Sequence, residues 1–373
     1  MADYSDSVLV VAGEASGDLH GARVASELKK KVPGLKLFGV GGKRLVEQGL
    51  EQLGDPECLN MVGLSEVLLG LPRVLALRQK IFAEVHRRKP RVALLVDLPG
   101  FNLNLALHLR KQGVRVVYYI APQAWAWRKG RVKKIRRRVD KLCVIFPFEE
   151  KFFKDAGVAA TFVGHPLMEE DARAIPAGHD KKLALVPGSR RTEILRLLPA
   201  MAKAARLLQD RSGPFDIVLP VAPGLDKGWI RGIIKDAGIE ARLVDGGATK
   251  ALRGAWAAYV ASGTATLEAA ICQVPMVAVY RVSRITYAMV RPMYHLKYFC
   301  IVNILAGKKV VPELLQGSVR PDIMATELEP MLEPGPGRQL VQEELKEVVA
   351  RLKGPKPSEK VSRLILDFLE ACA

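Results

Sequence analysis

The sequence predicts an α/β protein of two domains, each built on a parallel sheet. Apolar runs of about five residues recur along the chain, each ending in a turn of small or polar residues and followed by helical periodicity, as buried parallel strands with crossover helices do. At 373 residues the chain is long enough for two full-sized cores. Both periodicities lapse between His165 and Asp180, around Pro176, Gly178 and His179, which places an interdomain hinge there.

The first strand spans residues 8–12 and runs into Gly13-Glu14-Ala15-Ser16-Gly17-Asp18-Leu19-His20-Gly21, then an amphipathic helix to about Lys31. Small residues at such a junction let a backbone approach a ligand and leave helix amides free for an anion or hydroxyls, or they simply close a tight turn. The G-x-G-x-x-G dinucleotide spacing is absent. Residues 35–40 give another strand. The stretch 61–77 is unusually apolar, with Leu64, Val67, Leu68, Leu71, Val74 and Leu75 beside Arg73, Arg78 and Lys80. It suits a bilayer interface or a channel for acyl chains, and equally a core helix. Gly70 and Pro72 argue against one continuous helix.

Val92-Ala93-Leu94-Leu95-Val96 reads as a buried strand that delivers Asp97 at its carboxyl end, before Pro99-Gly100-Phe101-Asn102. Ligands of open α/β sheets bind outside those ends, so Asp97 is a candidate general base. A helix-capping or turn acid is the plain alternative. A helix (103–112) and a strand (114–120) lead to Ala121-Pro122-Gln123-Ala124-Trp125-Ala126-Trp127, whose two indoles suit a sugar face or a membrane interface, with core packing as the alternative for one of them. Arg128, Lys129, Arg131, Lys133, Lys134, Arg136, Arg137, Arg138 and Lys141 follow, either as a solvated helix face or as an attractor of acidic headgroups. A strand (142–146) and a helix (148–156) precede Val163-Gly164-His165-Pro166-Leu167, where His165 serves either a ligand or the packing of the hinge.

The second half repeats the rhythm. A strand at 183–187 leads into Gly188-Ser189-Arg190-Arg191-Thr192-Glu193 and a helix to about Leu208. Free amides, the positive helix end and a guanidinium converge there, which fits a pyrophosphate. Arginines oppose the dipole at a helix start, so packing alone would not select two of them. After strands at 216–221 and 241–244, residues 256–261 run into Ser262-Gly263-Thr264-Ala265-Thr266-Leu267-Glu268. The turn gives a nucleotide room, and Glu268 can accept both ribose hydroxyls or simply favour the dipole. Residues 275–279 form a further strand. Asn303 and Val311-Pro312-Glu313-Leu314-Leu315-Gln316 read as a loop and helix, and 340–369 as an amphipathic tail.

An apolar fraction of 49% excludes disorder, and a net charge of +18 calls for an anionic partner: nucleic acid, a phosphorylated substrate or an anionic membrane. Cys58, Cys143, Cys272, Cys300 and Cys372 show no CxxC spacing, which suggests reduced cytoplasmic thiols and gives no zinc signature. The acidic start before residues 8–12 is the wrong order for a secretory signal, and the fairly apolar stretch 257–280 is too interrupted for a membrane span.

Gly13 to Asp18, Val96-Asp97 through Asn102, Ala121 to Trp127, Val163 to Leu167, Pro187 to Arg190 with Glu193, Ala261 to Glu268, and Asn303 with Pro312 to Gln316 together resemble lipid-A-disaccharide synthase. The ordered set covers nearly the whole chain. The resemblance implies glycosyltransferase family 19 and the GT-B fold: two Rossmann-like, doubly wound parallel-sheet domains facing a central cleft. Residues 1–168 would bind the acceptor and face the membrane, 169–339 would bind the UDP-sugar, and 340–373 would pack back on an amino-terminal domain, its own or that of a partner in a homodimer. It implies inverting transfer of 2,3-diacylglucosamine from its UDP derivative to the 6-hydroxyl of 2,3-diacylglucosamine 1-phosphate, with no cofactor and no essential metal. The lack of an Asp-x-Asp pair in any strand-end loop agrees.

On the same resemblance Asp97 is the base, and Arg190 with Gly188 and Ser189 stabilises the departing UDP. Ser262, Gly263, Thr264 and Glu268 hold phosphate and ribose, Asn303 holds the sugar or diphosphate, and Glu14, Ser16, Gly17 and Asp18 lie on the acceptor side. Domain closure would exclude water. Leu64, Val67, Leu68, Leu71, Val74 and Leu75 would meet acyl chains or the bilayer, with the basic run on anionic lipid at the cytoplasmic side of a Gram-negative inner membrane. A UDP-N-acetylglucosamine 2-epimerase is the nearest rival and would need no apolar segment. A nucleic-acid-binding protein would explain the charge, yet aromatics are sparse along the basic run.

Overall fold

The computed structural model describes residues 7–59, 64–127, 130–169, 181–291 and 296–371. The chain divides into two compact units, one formed by Met1–Glu170 with Leu352–Ala373 and the other by Asp171–Arg351. Arg128 and Lys129, Pro176, Gly178 and His179 of the expected hinge, and Cys372 lie outside the described residues.

The first unit carries strands β1 (Ser7–Val11), β2 (Lys36–Val40), β3 (Leu50–Gln52), β4 (Val92–Val96), β5 (Arg115–Tyr119), β6 (Lys141–Val144) and β7 (Ala160–Phe162). They form one parallel sheet in the order β3-β2-β1-β4-β5-β6-β7. Every residue of β1 and β4 is buried because helices cover both faces. On one face Leu9, Val11 and Leu95 pack with Ile81, Val85 and Leu105. On the other, Val8, Val10 and Leu94 pack with Val24, Leu28 and Ile365.

From Leu64 onward the apolar stretch is part of a single helix, Leu64–Arg88, which continues through Pro72, while residues 61–63 lie outside the described residues. Leu77, Ile81 and Val85, one turn apart, are buried against the sheet. Their burial offsets the roughly 3 kcal/mol that an interior proline costs a helix.

The second unit carries β8 (Lys182–Val186), β9 (Asp216–Val221), β10 (Arg242–Asp245), β11 (Ala257–Ala261), β12 (Met276–Tyr280) and β13 (Glu313–Leu315), parallel in the order β10-β9-β8-β11-β12-β13. Residues 313–315, expected in a helix, instead pair with β12 as its edge strand. The amphipathic tail is two helices. Pro336–Leu352 stays with the second unit, where Arg351 donates to Leu305 O at 2.5 Å and Gln342 to Gln273 O at 3.3 Å. Pro357–Glu370 packs on the helix Ala15–Lys31 of the first unit. Gly164 permits the chain's return: at φ +93°, a Cβ there would lie 2.5 Å from Pro355 O.

Candidate active site

Each sheet reverses its strand order once, between β1 and β4 in the first and between β8 and β11 in the second. The crevice outside the carboxyl ends at such a switch point is where open α/β sheets bind ligands. The turns at these points carry Glu14 and Asp97 in one unit, and Gly188 to Arg190 and Ser262 to Thr264 in the other.

Asp97 and Leu98 both adopt left-handed backbone, at φ +48° and +49°. Asp tolerates this region and Leu does not. The neighbourhood holds them there. Asp97 N donates to Tyr119 O at 2.9 Å, and Asp97 O accepts from Asn102 Nδ2 at 2.9 Å and from the Tyr118 hydroxyl. Leu98 packs on Gly13, where a Cβ would lie 2.5 Å from Leu98 Cδ1. Burial pushes the Asp97 carboxyl up to about 6, and the nearby Glu14 charge adds to the rise against a backbone hydrogen bond from Leu98. A strained turn that displays a carboxyl of raised basicity is what a general base requires.

Glu14 and Ser16 are exposed at the start of the helix Ala15–Lys31, and Gly17 is buried beneath them. Asp18 serves the fold instead. Its carboxylate accepts from Arg44 N at 3.1 Å and Leu45 N at 3.0 Å, capping the helix Lys43–Glu47, with Gly42 pressed against it.

In the second unit Gly188 sits at φ +105°, and a Cβ there would come within 2.3 Å of Glu193 Oε2. The glycine thus lets the loop fold over Glu193. Arg190 precedes the helix Arg191–Ser212, and its side chain is 66% exposed, its guanidinium loosely paired with Glu193 at 3.4 Å. Arg191 diverges and stacks on Trp229, 4.8 Å from the ring centroid, so only one of the two arginines faces the turn. Across the switch point, Gly263 and Thr264 are exposed at the start of the helix Thr264–Ile271, and nothing lies within 4 Å of a Cβ built at Gly263. Its φ of +156° is one that glycine adopts without strain, and the open space around that position leaves room for a ligand phosphate.

The lipid-A-disaccharide synthetase family profile matches residues 8–365. The synthase of Anaeromyxobacter sp. (strain K) is 44% identical over 376 residues, covering 98% of each chain. This chain belongs to the lipid-A-disaccharide synthase family. It is a glycosyltransferase, whose substrates are a nucleotide sugar and an acceptor. Its fold is the GT-B fold, similar to that of the kitacinnamycin glycotransferase, with a TM-score of 0.65 at 15% identity over 97% of this chain and 98% of that one. The UDP-GlcNAc 2-epimerase of Neisseria meningitidis is also similar, with a TM-score of 0.59 at 13% identity over 98% of this chain and 100% of that one. The fold is therefore common to synthase and epimerase, and the family match decides for the synthase.

Of the residues expected at the nucleotide, Asn303 is committed within the fold and Glu268 is engaged through one carboxylate oxygen. Asn303 is fully buried, and its amide is saturated: Nδ2 donates to Val311 O and Glu313 Oε1 at 2.8 and 2.7 Å, while Oδ1 accepts from Val310 N and Val311 N at 2.7 and 3.0 Å. An amide side chain has no further valence to offer, so the expected sugar or diphosphate contact is corrected to a loop clamp. Glu268 accepts through Oε2 from Thr249 N at 2.9 Å and from the Thr249 hydroxyl at 2.5 Å, tying its helix to Ala248–Leu252.

Several contacts around these turns were not read from the sequence. Tyr118 and Asn102 hold the Asp97 turn. Glu313 binds Phe299 N and Cys300 N at 3.0 and 3.1 Å, and Gln316 binds both backbone groups of Val282 at 2.7 and 3.2 Å. Glu149, pushed up to about 7 by burial, accepts from Trp125 Nε1 at 2.8 Å and from Ile145 N and Phe146 N. Trp125 is thus an anchor and not an open sugar platform, while the side chain of Trp127 lies outside the described residues. His165 is 2% exposed, accepts from Leu167 N at 3.2 Å, and is held neutral by burial, a packing role.

Of the apolar candidates, Leu71 and Leu75 are 48% and 37% exposed, one turn apart, and Val74 is half-buried. The side chains of Leu64, Val67 and Leu68 lie outside the described residues. In the basic helix Gly130–Arg138, Val132 and Ile135 are buried while Lys133, Lys134, Arg136 and Arg137 are exposed. No helix among the described residues is long and apolar enough to cross a membrane.

Proposed function

We propose that the enzyme transfers 2,3-diacylglucosamine from UDP-2,3-diacylglucosamine to the 6-hydroxyl of 2,3-diacylglucosamine 1-phosphate, giving the β-1,6-linked disaccharide 1-phosphate and UDP. The observation that carries this reading is Asp97, a carboxyl at a sheet switch point with a pKa near 6. Near neutral pH it is ionised yet more basic than an ordinary carboxylate, as a base for a sugar hydroxyl must be.

In this reading the acceptor's 6-oxygen attacks the donor's anomeric carbon while its proton passes to Asp97. The bond from that carbon to the diphosphate breaks on the opposite face, and the electron pair leaves with UDP. Arg190 and the backbone amides of the Gly188–Ser189 turn meet the charge that grows on the diphosphate, and such preorganised donors act most strongly in the transition state. Gly263 and Thr264 receive the nucleotide phosphates, with Ser262 behind them. Glu14, Ser16 and Gly17 shape the acceptor side.

Both substrates carry acyl chains, and the enzyme acts at the cytoplasmic face of the inner membrane. Leu71 and Leu75 enter the interface while Lys133, Lys134, Arg136 and Arg137 attract acidic headgroups; these exposures support the reading. The test is product structure. Labelled 2,3-diacylglucosamine 1-phosphate should be converted to a disaccharide 1-phosphate whose proton NMR shows a β anomeric coupling and a 6-linkage. A different linkage, or epimerised UDP-sugar without disaccharide, would overturn it.

A further inference from the structure

Beside the donor turn in the second unit lies an apolar cavity with no assigned occupant. It measures about 370 Å³; Tyr280, Val282, Tyr287, Leu296, Phe299 and Leu315 give it mostly apolar walls, and Thr286, Arg291 and Lys297 complete the lining. That volume falls in the roughly 300–1,000 Å³ range of small-molecule sites, whose walls are likewise mostly apolar and aromatic.

The cavity opens at the carboxyl ends of β12 and β13, where Tyr280 and Leu315 are register partners, next to the β11 end that carries Ser262. The two places are physically joined. Ser262 Oγ donates to Phe299 O at 3.3 Å, and the Phe299 ring lies 6.2 Å from that of Tyr280. Tyr280 in turn lies within the fields of Arg190 and Glu193. Two wall residues are held in place: Gln316 clamps Val282 through two hydrogen bonds, and Glu313 fixes Phe299 N.

We propose that this cavity receives one acyl chain of the sugar-nucleotide donor. The proposal rests on the donor assignment made above and extends it to the lipid part. A nucleotide held at Ser262 to Thr264 with its diphosphate toward Arg190 leaves its acylated sugar beside Tyr280 and Phe299, and an apolar recess there shelters a chain from water. A bilayer would instead meet a convex surface, and the cavity is concave.

The test compares affinities for UDP, UDP-N-acetylglucosamine and UDP-2,3-diacylglucosamine, measured by calorimetry in a non-ionic detergent. Thr286→Trp places a ring at the cavity from an exposed helix position. It should weaken the acylated donor about tenfold, the burial of roughly two methylenes, and leave UDP and UDP-N-acetylglucosamine within about twofold. Val282→Phe, filling the cavity from a second position, should do the same, and thermal melts establish that both variants fold. Unchanged affinity for the acylated donor in both folded variants would overturn the cavity assignment, as would an equal loss for all three ligands. Loss of vesicle binding with donor affinity intact would give the surface to the bilayer and also overturn it. A wild-type protein that binds no UDP would remove the donor assignment itself, and this inference with it.

Discussion

Replacing Asp97 with Asn separates a base from a structural acid, because the two readings predict opposite changes in stability. Asn has the same shape, tolerates the left-handed backbone at φ +48°, and carries no charge. The wild-type carboxyl titrates near 6 in the fold against 3.8 for the free group, so the fold binds its proton more tightly than the unfolded chain does. The ionised form therefore destabilises the protein. The shift corresponds to about 3 kcal/mol at neutral pH as an upper bound, a cost that shrinks as pH falls from about 6 and is nearly gone at 4. Asp97→Asn should raise Tm by a few degrees at pH 7.5 and by almost nothing at pH 4.

The same change should lower kcat by roughly 10²- to 10⁴-fold, the worth of a general base, with the affinity for UDP unaltered. Wild-type activity should fall on the acid side with an apparent pKa near 6, to about a tenth of its plateau at pH 5, as protonation disarms the base. Glu14→Gln removes one contributor to the raised value and should move this limb to lower pH, leaving the larger contribution of burial in place. Calorimetric melts across pH and a continuous UDP-release assay read both effects. An Asp97→Asn protein that turns over normally, or that melts lower than wild type at pH 7.5, would refute the reasoning.

Other expectations can be checked in parallel. Arg190→Gln should leave Tm unchanged, because the side chain is 66% exposed, and should cost about 10²- to 10³-fold in kcat if it meets the leaving group's charge. Asn303→Ala should do the reverse: stranding the groups that its amide now satisfies should destabilise the fold by about 3 kcal/mol, seen in denaturant titrations, while UDP affinity of the folded protein holds. Leu71→Glu with Leu75→Glu should abolish flotation with anionic liposomes and not change the melt, since both positions are exposed. Liposome binding by the wild type should weaken with added salt.

The strands around the switch points were legible because burial on both faces writes unbroken apolar runs such as 92–96 and 257–261. The turns were legible because the glycines and polar residues that end those runs have no place inside a buried strand. What the sequence hid were long-range partners. Nothing near Asp18 shows that residues 44 and 45 need their amides satisfied, nor near Asn303 that the 310–311 backbone will wrap it. Strand β13 has three residues, too few for any periodicity, and its identity comes from pairing with β12. Pro72 suggested a break, yet burial of Leu77, Ile81 and Val85 keeps the helix intact. The tail divided where Pro355 and Pro357 interrupt it.

The most direct measurement is UDP release by the purified protein in detergent, given UDP-2,3-diacylglucosamine with and without 2,3-diacylglucosamine 1-phosphate. Release that requires the acceptor and matches disaccharide phosphate mole for mole is the predicted result. UDP release at the same rate without acceptor, or none with it, would contradict the assignment of this site to glycosyl transfer between the two lipids.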